Sequence, residues 1–183
     1  MSRNHFFLLT AFGKDRPGIV AGVTEALVQL GGNIEDATMT RLGGEFTMML
    51  VIALPARISL PKARKTLNVL EKRLGLSVHL KPVPSSLARR SKENPPGYMI
   101  SVYGVDHPGI VHDIAQALAV RRVSITDLQT KVTGSSRKPI YVMLLEVQVP
   151  DNLDMDELRT ELDRLRQDLK VEISLQDIEA VSL

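Results

Sequence analysis

Apolar and polar positions along this chain follow two periods, and the periods change in the same order twice. His5 to Phe12 is an apolar stretch of strand length. Ile19, Val20, Val23, Leu27, Val28 and Leu30 then fall mainly at spacings of three and four, which predicts an amphipathic helix stopped by Gly31-Gly32. Two strands follow, Ile34 to Leu42 and Glu45 to Leu54, joined at Gly43-Gly44, a pair that accepts the positive φ of a tight hairpin turn. Leu60 to Leu74 returns to helical spacing, with Leu67, Leu70 and Leu74 on one face and Lys62, Arg64, Lys65 and Lys72 mostly on the other. Leu76 to Lys81 closes the unit as a strand.

The second pass begins at Tyr98 to Gly104. The segment Gly13-Lys14-Asp15-Arg16-Pro17-Gly18-Ile19-Val20 returns as Gly104-Val105-Asp106-His107-Pro108-Gly109-Ile110-Val111, an offset of 91 residues that also relates Leu27 to Leu118 and Ile34 to Ile125. The helical stripe persists in Ile110, Ile114, Leu118 and Val120. By Leu54-Pro55 against Val149-Pro150 the offset is 95, so the second copy carries four more residues, placed in Gly134 to Pro139 and read as a longer, polar, mobile hairpin loop. The remaining counterparts are Met155 to Leu169 and Val171 to Leu175. Solenoid repeats have periods of roughly 20 to 50 residues, so a repeat of this length is a duplicated domain.

The order βαββαβ, twice, predicts an α+β protein of two ferredoxin-like units, each an antiparallel four-stranded sheet with both helices on one face. The first domain is expected over 1–82, a Pro/Ser/charge-rich linker over 83–96 and the second domain over 97–183. Phe46 to Leu54 is apolar on both alternating sides, and Ile140 to Val149 nearly so. A half-solvated sheet should alternate, so the other domain or another chain is expected to cover part of the second face. The unclosed sheet edges leave room for a homodimer.

Composition narrows the function classes. A formal charge of +2 on 183 residues demands no polyanionic partner, so direct nucleic-acid binding is not expected. The chain contains no cysteine, which excludes disulfides, thiolate metal sites and cysteine nucleophiles and suits the cytoplasm. The longest apolar run, Met48 to Leu54, is far below the roughly 20 residues of a membrane-spanning helix.

The repeated Asp-x-Pro-Gly-Ile-Val lies between a strand and a helix start, where the first backbone N–H groups lack partners and the helix dipole is positive. Such a corner cradles a carboxylate or phosphate. Pro17 and Pro108 preset φ, Gly18 and Gly109 let a ligand approach the backbone, and Asp15 and Asp106 either cap the helix or accept from an ammonium group. A zwitterionic amino acid needs both a donor nest and an acceptor.

The strand, Asp-Arg-Pro-Gly corner, helix, Gly31-Gly32-Asn33-Ile34 and hairpin resemble the ACT domain, an amino-acid-sensing regulatory module, over nearly the whole chain. A stand-alone tandem pair of this length resembles the glycine cleavage system transcriptional repressor family. That resemblance implies an effector held between the first loop of one module and the start of the second strand of a neighbour. It singles out Asp15, Arg16, Pro17, Gly18, Asn33 and Ile34, and Asp106, His107, Pro108, Gly109, Ser124 and Ile125. It also implies glycine or a similar small amino acid as ligand, no cofactor, and a DNA-binding transcription activator as the partner through which repression acts. Ser124 in place of Asn33 and His107 in place of Arg16 suggest that the two sites are not equivalent.

Competing chemistries find less in the sequence. His107 and His112 are five residues apart, with Arg16 and Ala21 as counterparts, so no metal site is expected. No Gly-x-Ser-x-Gly elbow or P-loop occurs, and Ser85, Ser86, Ser135 and Ser136 fall in linker or loop. An acylphosphatase-like enzyme using Arg16 and Asn33 is the remaining catalytic reading, and the second copy keeps neither residue. RNA recognition would need stacking aromatics where Phe46-Thr47-Met48-Met49-Leu50-Val51 offers few. A constitutive interaction scaffold with an empty corner is the contrasting non-enzymatic reading.

Overall fold

The computed structural model describes residues 4–88, 97–135 and 138–178, and its chain divides into two compact units, Met1–Ser91 and Lys92–Leu183. In the first, β1 (Asn4–Lys14), α1 (Ile19–Gln29), β2 (Asn33–Leu42), β3 (Glu45–Pro55), α2 (Leu60–Leu74) and β4 (Leu76–Val83) follow one another, with a short 3-10 turn at Ser85–Ala88. In the second, β5 (Gly97–Gly104), α3 (Ile110–Val120), β6 (Ser124–Ser135), β7 (Lys138–Gln148), α4 (Met155–Leu169) and β8 (Val171–Ile178) repeat the order. The sheets run β2-β3-β1-β4 and β6-β7-β5-β8, antiparallel throughout, so each unit is the ferredoxin-like sandwich the alternating periods require.

Each core lies between helices and sheet. Ile19, Val23, Leu27 and Leu30 from the first helical segment and Ala63, Leu67 and Leu70 from α2 pack on Phe7, Leu9, Met48, Leu50 and Ile52. Val28 and Val120 do not join their stripes, being 73% and 70% exposed. At 100° per residue Val28 lies about 180° around the helix from Ile19, and the helical period outranks hydrophobicity there.

Burial along β3 is uneven. Ile52, Ala53 and Leu54 are all buried at its end, but Met49 and, on β1, Phe12 are nearly half exposed on the face away from the helices. The loop expected over Gly134 to Pro139 is also corrected. Gly134 pairs with Pro139 and Ser135 with Lys138, so the four extra residues lengthen both strands of the hairpin by two. Two residues per strand preserve the inward and outward alternation, which a single residue would invert at the tip. Positions 136 and 137, and with them the expected mobility, lie outside the described residues, as does the linker from 89 to 96.

One edge strand of each sheet carries a register shift at a matched place, between Ile34 and Asp36 on β2 and between Ile125 and Asp127 on β6. Among the described residues no helix is long and apolar enough to cross a membrane.

Candidate functional site

Among the described residues, the four α-helices begin in two different ways. Ser59 Oγ accepts from the Lys62 N–H at the start of α2, and Asp154 Oδ1 accepts from the Asp156 N–H at the start of α4. At α1 and α3 the N-cap is Gly18 or Gly109, and neither helix has a side-chain cap. The first intrahelical bonds run from Gly22 N–H to Gly18 O and from Asp113 N–H to Gly109 O, both 2.9 Å. The N–H groups of Ile19, Val20 and Ala21, and of Ile110, Val111 and His112, therefore stand outside their helices' own ladders at the positive end of the dipole.

Gly18 and Gly109 have φ of 90° and 106°, where a Cβ would be strained. A Cβ added at Gly18 would meet nothing within 4 Å, so the backbone there faces open space. Pro17, Gly18, Pro108 and Gly109 are exposed, while Ile19 and Ile110 are buried and anchor the helix starts.

Asp15 and Asp106 cap neither helix. Asp15 Oδ2 lies 3.1 Å from Arg41 Nη1 on β2, and its own N–H donates to Gly44 O at 2.9 Å, tying the corner to the hairpin turn. Position 41 corresponds to Val132, so Asp106 has no such partner, and among the described residues it forms no ion pair. Across the strands Val132 faces Tyr141, whose hydroxyl is held above its ordinary pKa by burial first and by the Asp106 charge second.

Arg16 and His107 turn toward the far ends of α2 and α4. Arg16 Nη2 donates to Arg73 O at 2.8 Å, and His107 Nε2 stands 2.9 Å from Leu169 O. A cationic donor at a helix C-terminus complements its unpaired carbonyls and negative dipole end. His107 Nδ1 also lies 3.1 Å from Pro108 O. Both oxygens only accept, so the doubly protonated ring satisfies both, and the Leu169 contact first and the Pro108 contact second raise its pKa. The departure from Arg16 to His107 thus keeps one structural role.

The remaining expected residues lie elsewhere. Gly13 pairs with Phe46 and Asn33 with Ala53, seven positions further along β3, so Asn33 and Ile34 sit about 24 Å from the corner of their own module. Ser124, opposite Gln148, is equally far from the Gly104 end of β5, opposite Tyr141. One module therefore does not bring the corner and the start of the second strand together. Asn33 Nδ2 donates to Glu35 Oε1 at 3.1 Å, Ile34 packs on the core edge, and Ser124 and Ile125 are exposed.

Two residues that the motif did not single out shape the corners. Arg41 neutralises Asp15. Asp113, where the first copy has Gly22, places a carboxylate in the first turn of α3; its Oδ2 is 3.6 Å from where a Gly109 Cβ would stand, and its Oδ1 is 2.9 Å from His112 Nδ1. Both differences can be read at the repeat offset of 91, by comparing the copies position by position outside the shared motif.

A model of the ACT domain matches residues 5–81 and again 98–176. The chain belongs to the ACT domain family. Over 131 residues this tandem ACT protein is 27% identical to the glycine cleavage system transcriptional repressor of Escherichia coli strain K12, covering 72% of this chain and 67% of that one. It is 37% identical over 73 residues to a UPF0237 protein of Streptococcus mutans, 40% of this chain and 83% of the relative. Among solved structures, an unknown protein from Galdieria sulphuraria superposes with a TM-score of 0.80 at 26% identity, covering 97% of this chain and 100% of the other. The similarity therefore extends over both ACT modules.

Proposed function

We propose that this chain is a non-enzymatic regulator that senses a small amino acid, glycine foremost, and represses transcription through a DNA-binding activator to which it binds. Membership of the ACT family and similarity to a transcriptional repressor support a regulatory, amino-acid-sensing role. The observation that carries the reading is the pair of helix starts left without side-chain caps behind positive-φ glycines, in a chain that caps its other two helices.

The ligand's carboxylate docks on the free N–H groups at the start of α1 or α3. Its ammonium is held by backbone carbonyls, by Asp15 or Asp106, or by Asn33 at the start of a second strand. Because Asn33 and Gly18 lie at opposite ends of one module, a ligand touching both must bridge two modules. Occupancy then favours the arrangement of modules that binds it better, by the difference in affinity, and the partner reads that arrangement.

Isothermal titration against the twenty amino acids, glycine and serine first, tests this reading. Saturable heat that is lost in a Gly18→Ala, Gly109→Ala double variant, shown to be folded by its thermal melt, supports it. No heat for any amino acid overturns it in favour of a ligand-independent scaffold.

A further inference from the structure

Between α1 and α2 runs a groove of about 510 Å³. Ala26, Val69 and Leu70 line its floor, and Lys62, Lys65 and Arg73 rim it. Val69 is 63% exposed there, an apolar side chain left in water amid cations. Helix α2 carries five cations, Lys62, Arg64, Lys65, Lys72 and Arg73, against one carboxylate, Glu71. Among the described residues only Arg73 of the rim has an acidic partner, Glu25, at 2.8 Å.

The duplication supplies an internal control. At the corresponding positions of the second module stand Glu157 for Lys62, Thr160 for Lys65, Arg164 for Val69 and Asp168 for Arg73, and of these Arg164 and Asp168 line the groove between α3 and α4. It neutralises itself: Arg164 pairs with Glu161 at 2.6 Å and Asp168 at 3.0 Å, and Arg121 reaches Glu157 and Glu161 at 3.2 Å each. The sandwich therefore folds without an uncompensated cationic rim, and the fold does not explain the one on the first module.

We infer that the α1/α2 groove of the first module is a docking surface for an acidic amphipathic segment of another protein. Apolar residues of that segment cover Val69 while its carboxylates meet Lys62 and Lys65. Cationic charge alone would serve a nucleic-acid backbone equally well, but phosphates gain nothing from the apolar floor, whereas a helix or strand with one acidic and one apolar side uses both. The helix α4 of a second copy is a poor occupant, since its carboxylates are already paired. Such docking needs no amino acid at the β1–α1 corner.

The test uses the full chain and a fluorescein-labelled peptide with leucines at helical spacing and glutamates between them, read by fluorescence anisotropy. Controls are the same peptide with serine for leucine and a labelled DNA duplex. Lys62, Lys65 and Val69 are exposed, so Lys62→Glu with Lys65→Glu, and separately Val69→Asp, should leave the fold intact by thermal melt. The expected result is saturable binding of the leucine peptide, weakened about tenfold or more by either variant and by replacing its leucines. No binding, unchanged affinity in both variants, or equal affinity for the serine peptide or the duplex overturns the inference, the last two by reducing the groove to a featureless polyanion patch.

Discussion

The corner after β1 and its copy after β5 share a backbone and differ in what surrounds it. The first offers bare N–H donors, with glycine at position 22 and no acidic residue in the first turn of α1, but its carboxylate is already held by Arg41. The second offers Asp106, which forms no ion pair among the described residues, but Asp113 puts a carboxylate in the first turn beside Gly109. Under the function proposed above, a zwitterion's carboxylate would be favoured at the first corner and its ammonium at the second. Identical motifs thus do not make equivalent surroundings, because a charge's neighbours decide what it can still pair with.

The comparison breaks most sharply at the glycines. Gly18→Ala and Gly109→Ala each place a Cβ on a left-handed backbone, at about 1–2 kcal/mol of stability in a thermal melt. In titration with glycine, the Gly18 variant is expected to lose most of the heat and the Gly109 variant little; the reverse result would show that Asp113 does not guard its corner. A smaller effect comes from Asp113→Asn, which removes the guarding charge without changing shape. Carboxylate binding at the second corner should tighten by about two- to fivefold, the size of a helix-dipole interaction of about 0.3–1 kcal/mol, and a titration resolving two sites would read it.

Arg41→Val copies Val132 and releases Asp15. The lost pair is exposed on the Arg41 side, so stability should fall by less than about 1 kcal/mol in denaturant unfolding. The weakest expected effect is a pH dependence confined to the second module. His107 is held above its unfolded-state pKa of about 6.5, so its stabilisation is complete below that pH and lost as pH rises through the folded-state value. His107→Arg installs the guanidinium that Arg16 supplies in the first module. Thermal melts across that range should then show a flatter dependence than the parent protein; an unchanged slope would remove His107 as its source.

Most of the fold was legible because local signals agreed. Gly43-Gly44 marked the hairpin, Gly31-Gly32 the end of α1, and the repeat let each copy check the other. The misreadings depended on geometry rather than on local composition, on strand pairing in one case and on the angle around a helix in the other. Gly134 to Pro139 looks like a loop until its residues find strand partners. Val28 looks like core until its angle around the helix is counted. At the site, the open helix starts were foreseen from Pro and Gly, but the bonds of Arg16 to Arg73 O and His107 to Leu169 O, 57 and 62 residues away in sequence, have no local signature. Nor did the motif reveal that its corner and Asn33 fall at opposite ends of one sheet.

The matched register shifts in β2 and β6 bear on how the protein survives being crowded. β2 and β6 are exposed along nearly their whole lengths, and a long unpaired edge is a template on which further chains grow into fibres. At each shift one residue leaves the ladder, Glu35 in the first module and Thr126 in the second, where Thr126 Oγ1 instead donates to Glu146 O at 3.2 Å. An incoming strand can then run flush only from Asp36 or Asp127 onward, where it meets an acidic side chain at once. At that end of β2 and β6 the shift favours a partner shaped for the irregular start over a flush, indiscriminate strand.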